Sequence, residues 1–408
     1  MKIYDIRDFG AIADGKTVNT EAIQKTIDVC AENGGGRVIV TEGKYVTGTI
    51  FMKSNVELSI EANGAIVASV DGNDYPDFSC EEWDTKRAPR ASAKCLIYFG
   101  YIENASLTGM GMIDCQGIHY CDPVYDDDGK VVRYQRNTTN IPARMVFVMG
   151  CTNVRIEDIT MKEMAGGWGY WINNSQFVTV YKAKLYCNPM YPNADGIHIN
   201  CSSDVLVEGC IVHSGDDSII IRSNTNTLKE KRPCERVVVK GCTLSSNHNA
   251  VRVAWRNDYI IRNCILSDLI ITDTARGITM ELPDHSNPTD FSDSHTVIEN
   301  IQVTNVVLDR IRKAPLTIKV HPENLMGRIG NIRFSNITSS SGDYPVIAGR
   351  EDAVLDEIYF NNCKFTVKDE EKTAQFFSHV KGLHLTDTSF DVVEDDTPWK
   401  MYEKETSL

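Results

Sequence analysis

An all-β fold, a parallel β-solenoid capped at its start by one helix, is what this sequence predicts. Three observations carry that expectation: a recurring apolar frame, the near absence of hairpin signals, and a single amphipathic stretch close to the N-terminus. The frame appears in NVRIEDI, DVLVEGC, RVVVKGC, NIRFSNI and EIYFNNC, each reading apolar, any, apolar, two mostly polar, apolar. Val154, Ile156 and Ile159 thereby correspond to Val205, Val207 and Cys210, then to Val237, Val239 and Cys242. Ile332, Phe334 and Ile337, and Ile358, Phe360 and Cys363, continue the series, with weaker copies at Leu107, Val180, Val303 and Leu385. Frames start at 154, 178, 205 and 237, and again at 301, 332, 358 and 383, so successive steps are 24, 27, 32, then 31, 26 and 25. Short period-2 strands repeating at such an interval, without long helices between them, suit coils that stack and pool their apolar rows into one core. A sandwich or propeller would need Asn-Gly hairpin turns between alternating strands, and these are nearly absent.

The helix is expected over residues 20–33. Asn19 or Thr20 can cap it, Ile23, Ile27 and Cys30 share a face, and Gly34 ends it. The glycine run follows this helix, the wrong end for phosphate binding, so it reads as a stop signal. Such a helix covers the open end of a solenoid, where strand edges lack partners. Residues 1–408 read as one domain, with about 119–143 as an inserted polar loop.

The composition, 42% apolar and 24% charged, is that of a globular protein with ample chain for a core. A net charge of −14 disfavours nucleic acid and anionic membrane surfaces as partners. No apolar run reaches bilayer length. The start MKIYDIRDFG carries no apolar signal core, so a cytoplasmic location is expected, or a secreted one if a leader was removed. Thirteen scattered cysteines, without a CxxC pair or Cys/His cluster, read as small buried apolar residues rather than disulfides or zinc ligands. Neither a metal nor a cofactor is implied, and the oligomeric state is not encoded legibly.

The chemistry concentrates at the mouths of three strands. HSGDDSIII places Asp216 and Asp217 side by side before an apolar run, and YPNADGIHIN places Asp195 at the same kind of position 21 residues earlier, about one coil. Equivalent positions on neighbouring coils lie ~4.8 Å apart, so the three carboxylates fall close together. SSNHNAVRV brings His248 to the same face one coil later. Each residue alone reads as a turn aspartate or a surface histidine. Four in register, with like charges that shift one another's ionisation, read as an acid/base site. Gly215 is expected to let the backbone depart from strand geometry so that both aspartates face one cleft.

With these residues in view, the sequence resembles the polygalacturonase family of glycoside hydrolases. The resemblance runs from DFGAIADGKTVNTEAI through NPMYPNADGIHI and GDDSIII to RPCERVVVKGCTLSSNHNAV. It implies a right-handed parallel β-helix and an inverting hydrolysis, with Asp216 as general acid and Asp195 and Asp217 holding the attacking water. The family's Asn-Thr-Asp motif stands here as Asn193-Ala194-Asp195, Gly-Asp-Asp is intact, and His248 matches the histidine of Gly-His-Gly. Inverting enzymes generally hold their carboxyls ~6.5–9.5 Å apart, wider than adjacent coils suggest, so inversion follows from the resemblance alone.

One motif departs. Where the family carries Arg-Ile-Lys, this sequence reads RGITMEL, with Thr279, Met280 and Glu281 in those places. The two missing cations are the groups expected to grip a galacturonate carboxylate. Arg276, Arg252 or Arg256 could substitute, or each could be a solvated surface residue. The expected substrate is accordingly an oligosaccharide, neutral rather than galacturonate and cleaved from one end, with a conventional polygalacturonase as the alternative. A polysaccharide lyase would need calcium-binding acids and a base that abstracts a C–H proton. A non-catalytic glycan-binding solenoid is disfavoured by the stacked acids. Trp255 is a candidate sugar platform, Trp168 and Trp171 read as packing, and His198 and His213 show no metal spacing.

Overall fold

The computed structural model describes residues 2–78, 93–165, 167–283, 294–368 and 377–392. They form two compact units, the first holding residues 2–78, 93–198 and 204–216, the second 199–203 and 217–392.

In the first unit, parallel strands stack in three ladders. One runs through Ile3–Asp5, Gly36–Val40, Val56–Ile60, Glu103–Thr108, Thr152–Glu157 and Gln176–Tyr181. A second runs through Asp14–Val18, Gly43–Thr47, Gly64–Ala68, Met112–Asp114, Thr160–Lys162, Lys184–Tyr186 and Ile211–Ser214. The third comprises Ile50–Phe51, Cys95–Gly100, Arg144–Met149 and Trp168–Asn173. The apolar frame is the register: Ile156 pairs with Leu107 on one side and Val180 on the other, and all three are fully buried.

The second unit carries long strands, Ile260–Thr272, Thr296–Ile311, Met326–Ser341, Leu355–Val367 and Val380–Val392, each spanning a whole copy of the frame. Leu266, Val303, Phe334 and Phe360 follow one another in register and are buried, with the two phenylalanine rings stacked at 4.9 Å. Leu385 continues the row but is exposed, because no described strand covers the far side of Val380–Val392.

The polar pair of the frame has a backbone cause. Its second member, Asp158, Gly209, Gly241, Asn336 or Asn362, adopts positive φ in every strong copy, and so does the residue before the first apolar position, Asn153, Asp204, Arg236, Asn331 or Glu357. Asn, Asp and Gly enter this left-handed conformation at least cost. Stacked asparagines then bond along the coils: Asn331 Nδ2 donates to Asn300 Oδ1 at 2.7 Å, and Asn336 Nδ2 to Asn305 Oδ1 at 2.9 Å.

The helix spans Thr20–Glu32 and buries Ile23, Thr26, Ile27 and Cys30. Asn19 occupies the N-cap position without making a side-chain cap. It accepts from the Ile12 amide at 2.6 Å and donates to the Thr17 carbonyl, tying down the preceding loop, while Thr20 Oγ1 accepts from Gly48 N at 2.8 Å. The segment expected as an inserted loop contains an antiparallel hairpin instead, Cys121–Tyr125 with Val131–Arg136, whose alternating valines and tyrosines supply the strands. Among the described residues no helix is long and apolar enough to cross a membrane. The described cysteines are all free, and all but Cys187 are buried.

Phe334→Ala should cost about 3–5 kcal/mol in urea unfolding, since its pocket is lined by residues fixed in register and cannot collapse easily. A loss below about 1 kcal/mol would contradict the stacked-core assignment.

Candidate active site

In the first unit, Asn193 sits in the left-handed region at φ 49° and turns the chain into Ala194, which is fully buried, and Asp195, which is 6% exposed. The amides of Gly215 and Asp216 both donate to the Ala194 carbonyl, at 3.1 and 3.2 Å. Asp216 is therefore held against the residue preceding Asp195, as the one-coil spacing predicts. Ser214 Oγ adds a bond to the Asp216 carbonyl at 2.6 Å. Gly215 does not occupy the left-handed region. A Cβ there would lie 2.5 Å from the Tyr191 carbonyl oxygen, so glycine is required by close approach of two coils, not by an unusual backbone angle.

The hairpin braces this turn. Tyr134 N donates to the Met190 carbonyl at 3.2 Å, its ring meets Tyr191 edge-on at 5.0 Å, and Arg136 Nη2 donates to Asn193 Oδ1 at 3.3 Å. His198 is buried and packs on Trp168 at 4.2 Å, and His213 stacks on Tyr186 at 5.5 Å, so both serve as packing rings.

In the second unit, Asp217 is the hub. Ser218 N donates to the Asn249 carbonyl at 3.0 Å, and Ile219–Arg222 pairs with Asn249–Val253 in register, which brings His248, Asn249 and Arg252 around the Asp217 carboxylate. His248 Nδ1 lies 3.0 Å from Oδ1, Asn249 donates from its amide at 3.2 Å and from its side chain, and Arg252 Nε donates to Oδ2. Burial alone would raise the Asp217 pKa. The Arg252 charge, the hydrogen bond and charge of His248, and the hydrogen bond from Asn249 outweigh it and hold the carboxyl well below the ordinary range. Aspartate and histidine are metal-ligand types, but Arg252 already supplies the positive charge that a cation would bring.

The remaining predicted residues fall into place around this hub. Arg252 is 4% exposed and lies 4.2 Å from the Trp255 ring centroid, so the guanidinium serves Asp217 and Trp255 stacks on it. Thr279 is fully buried and donates to Asn249 Oδ1 at 2.9 Å, completing a chain from Thr279 through Asn249 to Asp217. Glu281 bonds His321 Nε2 at 2.6 Å, and Arg256 Nη2 reaches Glu323 at 3.7 Å. Arg276 pairs with Asn249 in register, and its guanidinium has no hydrogen-bond or ion-pair partner among the described residues. Sequence reasoning missed His321, Arg136 and Arg144. Arg144 carried a legible signal, a lone charge at the mouth of the buried strand RMVFVM, the same pattern that marks Asp216 and Asp217.

Parallel strands stacked in register, with partnered aspartates at their mouths, define a β-solenoid that carries an acidic site. The family described as glycosyl hydrolases family 28 matches residues 30–321. A probable polygalacturonase of Vitis vinifera is 24% identical over 67% of this chain and 56% of its own length, so the match spans little more than half of that relative. An exo-poly-alpha-D-galacturonosidase of Dickeya chrysanthemi is 23% identical over 90% of this chain and 67% of its own. The solved hyperthermoactive exopolygalacturonase of Thermotoga maritima superimposes with a TM-score of 0.76 at 20% identity, covering 96% of this chain and 92% of that one. The chain belongs to glycosyl hydrolases family 28, a family of glycosidases, and its fold is the right-handed parallel β-helix with an N-terminal helix.

Arg252→Met strips Asp217 of its cation inside the fold and should destabilise the protein by about 3–5 kcal/mol at pH 7, measured by urea unfolding. The pH dependence has a definite sign. A carboxyl whose folded pKa lies below its unfolded value of about 3.9 contributes fully above that pH, and the contribution fades as pH falls toward the folded pKa. Asp217→Asn should therefore lose less stability than the parent protein on acidification below about pH 4. Parallel acid limbs for the two proteins would contradict this assignment.

Proposed function

We propose that this protein is an inverting glycosidase that acts from one end of a short oligosaccharide, and that the sugar it holds beside Thr279 and Glu281 carries no carboxylate. Asp216 donates the proton to the leaving oxygen, while Asp195 and Asp217 orient the water. The observation that carries the acid/base reading is the contrast between the neighbours Asp216 and Asp217. Asp217 is buried and kept ionised by Arg252, His248 and Asn249, so it suits the role of a base-side carboxylate, and Asp216 is partly exposed beside it in the chain. End-on cleavage is supported by the names of the Dickeya and Thermotoga relatives, both exo-acting on galacturonan.

The substrate reading rests on the second unit. A uronate bound there would meet a buried hydroxyl already bonded to Asn249 and an acid already bonded to His321, and Arg252 is committed to Asp217. A carboxylate bound without a cation loses tenfold in affinity for each 1.4 kcal/mol. One observation favours the conventional polygalacturonase as a second reading. Arg276 precedes Thr279 by three residues on the same strand, and Lys319 pairs with Glu281 on the next coil, so two cations lie near the altered positions.

Asp216→Asn should lower turnover at least ~10²-fold with an unchanged unfolding midpoint. Near-full activity would remove Asp216 from the acid role. Polygalacturonate should be cleaved more slowly than a short oligosaccharide containing neutral sugar, and Thr279→Arg/Glu281→Lys should narrow that gap. Rapid cleavage of polygalacturonate by the unmodified protein, abolished by Arg276→Met, would establish the second reading instead.

A further inference from the structure

Two residues at the second unit's site depart from the motifs they stand in, and the structure bonds them to each other. Asn249 follows His248, where Gly-His-Gly carries a glycine, and Thr279 stands where Arg-Ile-Lys opens with arginine. Thr279 lies on the strand Arg276–Leu282, which pairs with Asn249–Val253 one coil earlier. Both residues are fully buried, and Thr279 Oγ1 donates to Asn249 Oδ1 at 2.9 Å. Among the described residues this is the one hydrogen bond of the Thr279 hydroxyl.

The other end of the same amide meets Asp217. Asn249 Nδ2 donates to Asp217 Oδ1, joined there by the Asn249 backbone amide at 3.2 Å, while Arg252 Nε donates to Oδ2. The carboxylate is thus gripped at both oxygens, and its plane cannot turn without breaking one set of bonds. A primary amide has an accepting end and a donating end, so both must be satisfied at once. Thr279 supplies the donor for the accepting end, at a depth where solvent cannot stand in for it. Without that hydroxyl, Oδ1 is left unpaired unless the amide rotates, and rotation withdraws Nδ2 from Asp217. Hydrogen bonds in a chain also polarise one another, so Thr279 strengthens the donor that Asp217 receives. The charged or titratable groups that meet Asp217 from the following coil are Arg252 and His248. Thr279 adds orientation and no charge.

We infer that Thr279 is a positioning residue for the hydrolysis: it fixes the Asn249 amide, which fixes the direction of the Asp217 carboxylate, and it makes no contact with the sugar. The inference rests on the reading of Asp217 as the base-side carboxylate and names the group that aims it. Loss of the Thr279 hydroxyl therefore acts on turnover, in common for every substrate, and not on the grip on any one sugar.

Thr279→Val keeps the shape and removes the hydroxyl, whereas Thr279→Ser keeps the hydroxyl. On trigalacturonate, Thr279→Val should lower kcat roughly 10-fold with KM within about 2-fold of the parent, and Thr279→Ser should restore most of the rate. Added to Asn249→Ala, Thr279→Val should cost less than about 2-fold more, because the amide it acts through is already gone. An independent cycle reads urea unfolding at pH 7. Thr279→Val should lower the folding equilibrium constant about 5-fold more in the parent than in Asp217→Asn, whose neutral side chain holds the amide more weakly. This cycle uses no substrate, so it decides the inference even where trigalacturonate is not cleaved. Equal folding cost of Thr279→Val in the two backgrounds, an additive loss of kcat with Asn249→Ala, or a change confined to KM overturns it. Full activity in Asp216→Asn would count against the acid assignment instead, and both Thr279 cycles are read independently of it.

Discussion

In-register parallel stacking is the constraint on which everything else depends. Each strand bonds to the equivalent strand one coil away, so the neighbour of any side chain is the residue occupying the same place in the next repeat. An apolar residue then stacks on an apolar residue, as Leu266, Val303, Phe334 and Phe360 do. A bend recurs at the same place in every coil, which is why Asn, Asp or Gly recurs after the second apolar position. The same rule governs the strand mouths. Whatever chemistry one coil places there is met by the chemistry of the next, at a spacing of one strand.

Stacking makes carboxylates at those mouths expensive, and the two units handle the cost differently. In the second unit Asp217 is buried, and its charge is retained only because Arg252, His248 and Asn249 come from the following coil in register. Removing the cation would leave a buried charge that desolvation alone would neutralise. In the first unit Arg136, from the hairpin, and Arg144, from two coils before, both feel the Asp195 charge. Arg252 thus fixes the ionisation state and the position of Asp217.

The frame, the helix and the approach of Asp216 to Asp195 were legible in the sequence because each depends on repeat spacing or local periodicity. His248 beside Asp217 was legible for the same reason. The destination of Arg252 was not, because a charged residue within VRVAWRN looks alike whether it serves the surface or a buried aspartate one coil earlier. Arg144 escaped because its partners Trp168 and Trp171 lie a coil away, and aromatics on coil turns more often pack than bind. The hairpin strands Cys121–Tyr125 and Val131–Arg136 were hidden by their polar composition, since one face is solvated. Asn19 resembled a cap by position, yet its side chain satisfies the loop at Ile12 and Thr17, a choice set by tertiary contacts that no local signal encodes.

The central proposal is that water displaces the leaving group in one step while Asp216 protonates the leaving oxygen. Proton NMR of the first sugar released, recorded before mutarotation, measures this directly. A single displacement predicts the anomer opposite to that of the substrate. Release of the same anomer would require a covalent intermediate on one of the aspartates and would contradict the account.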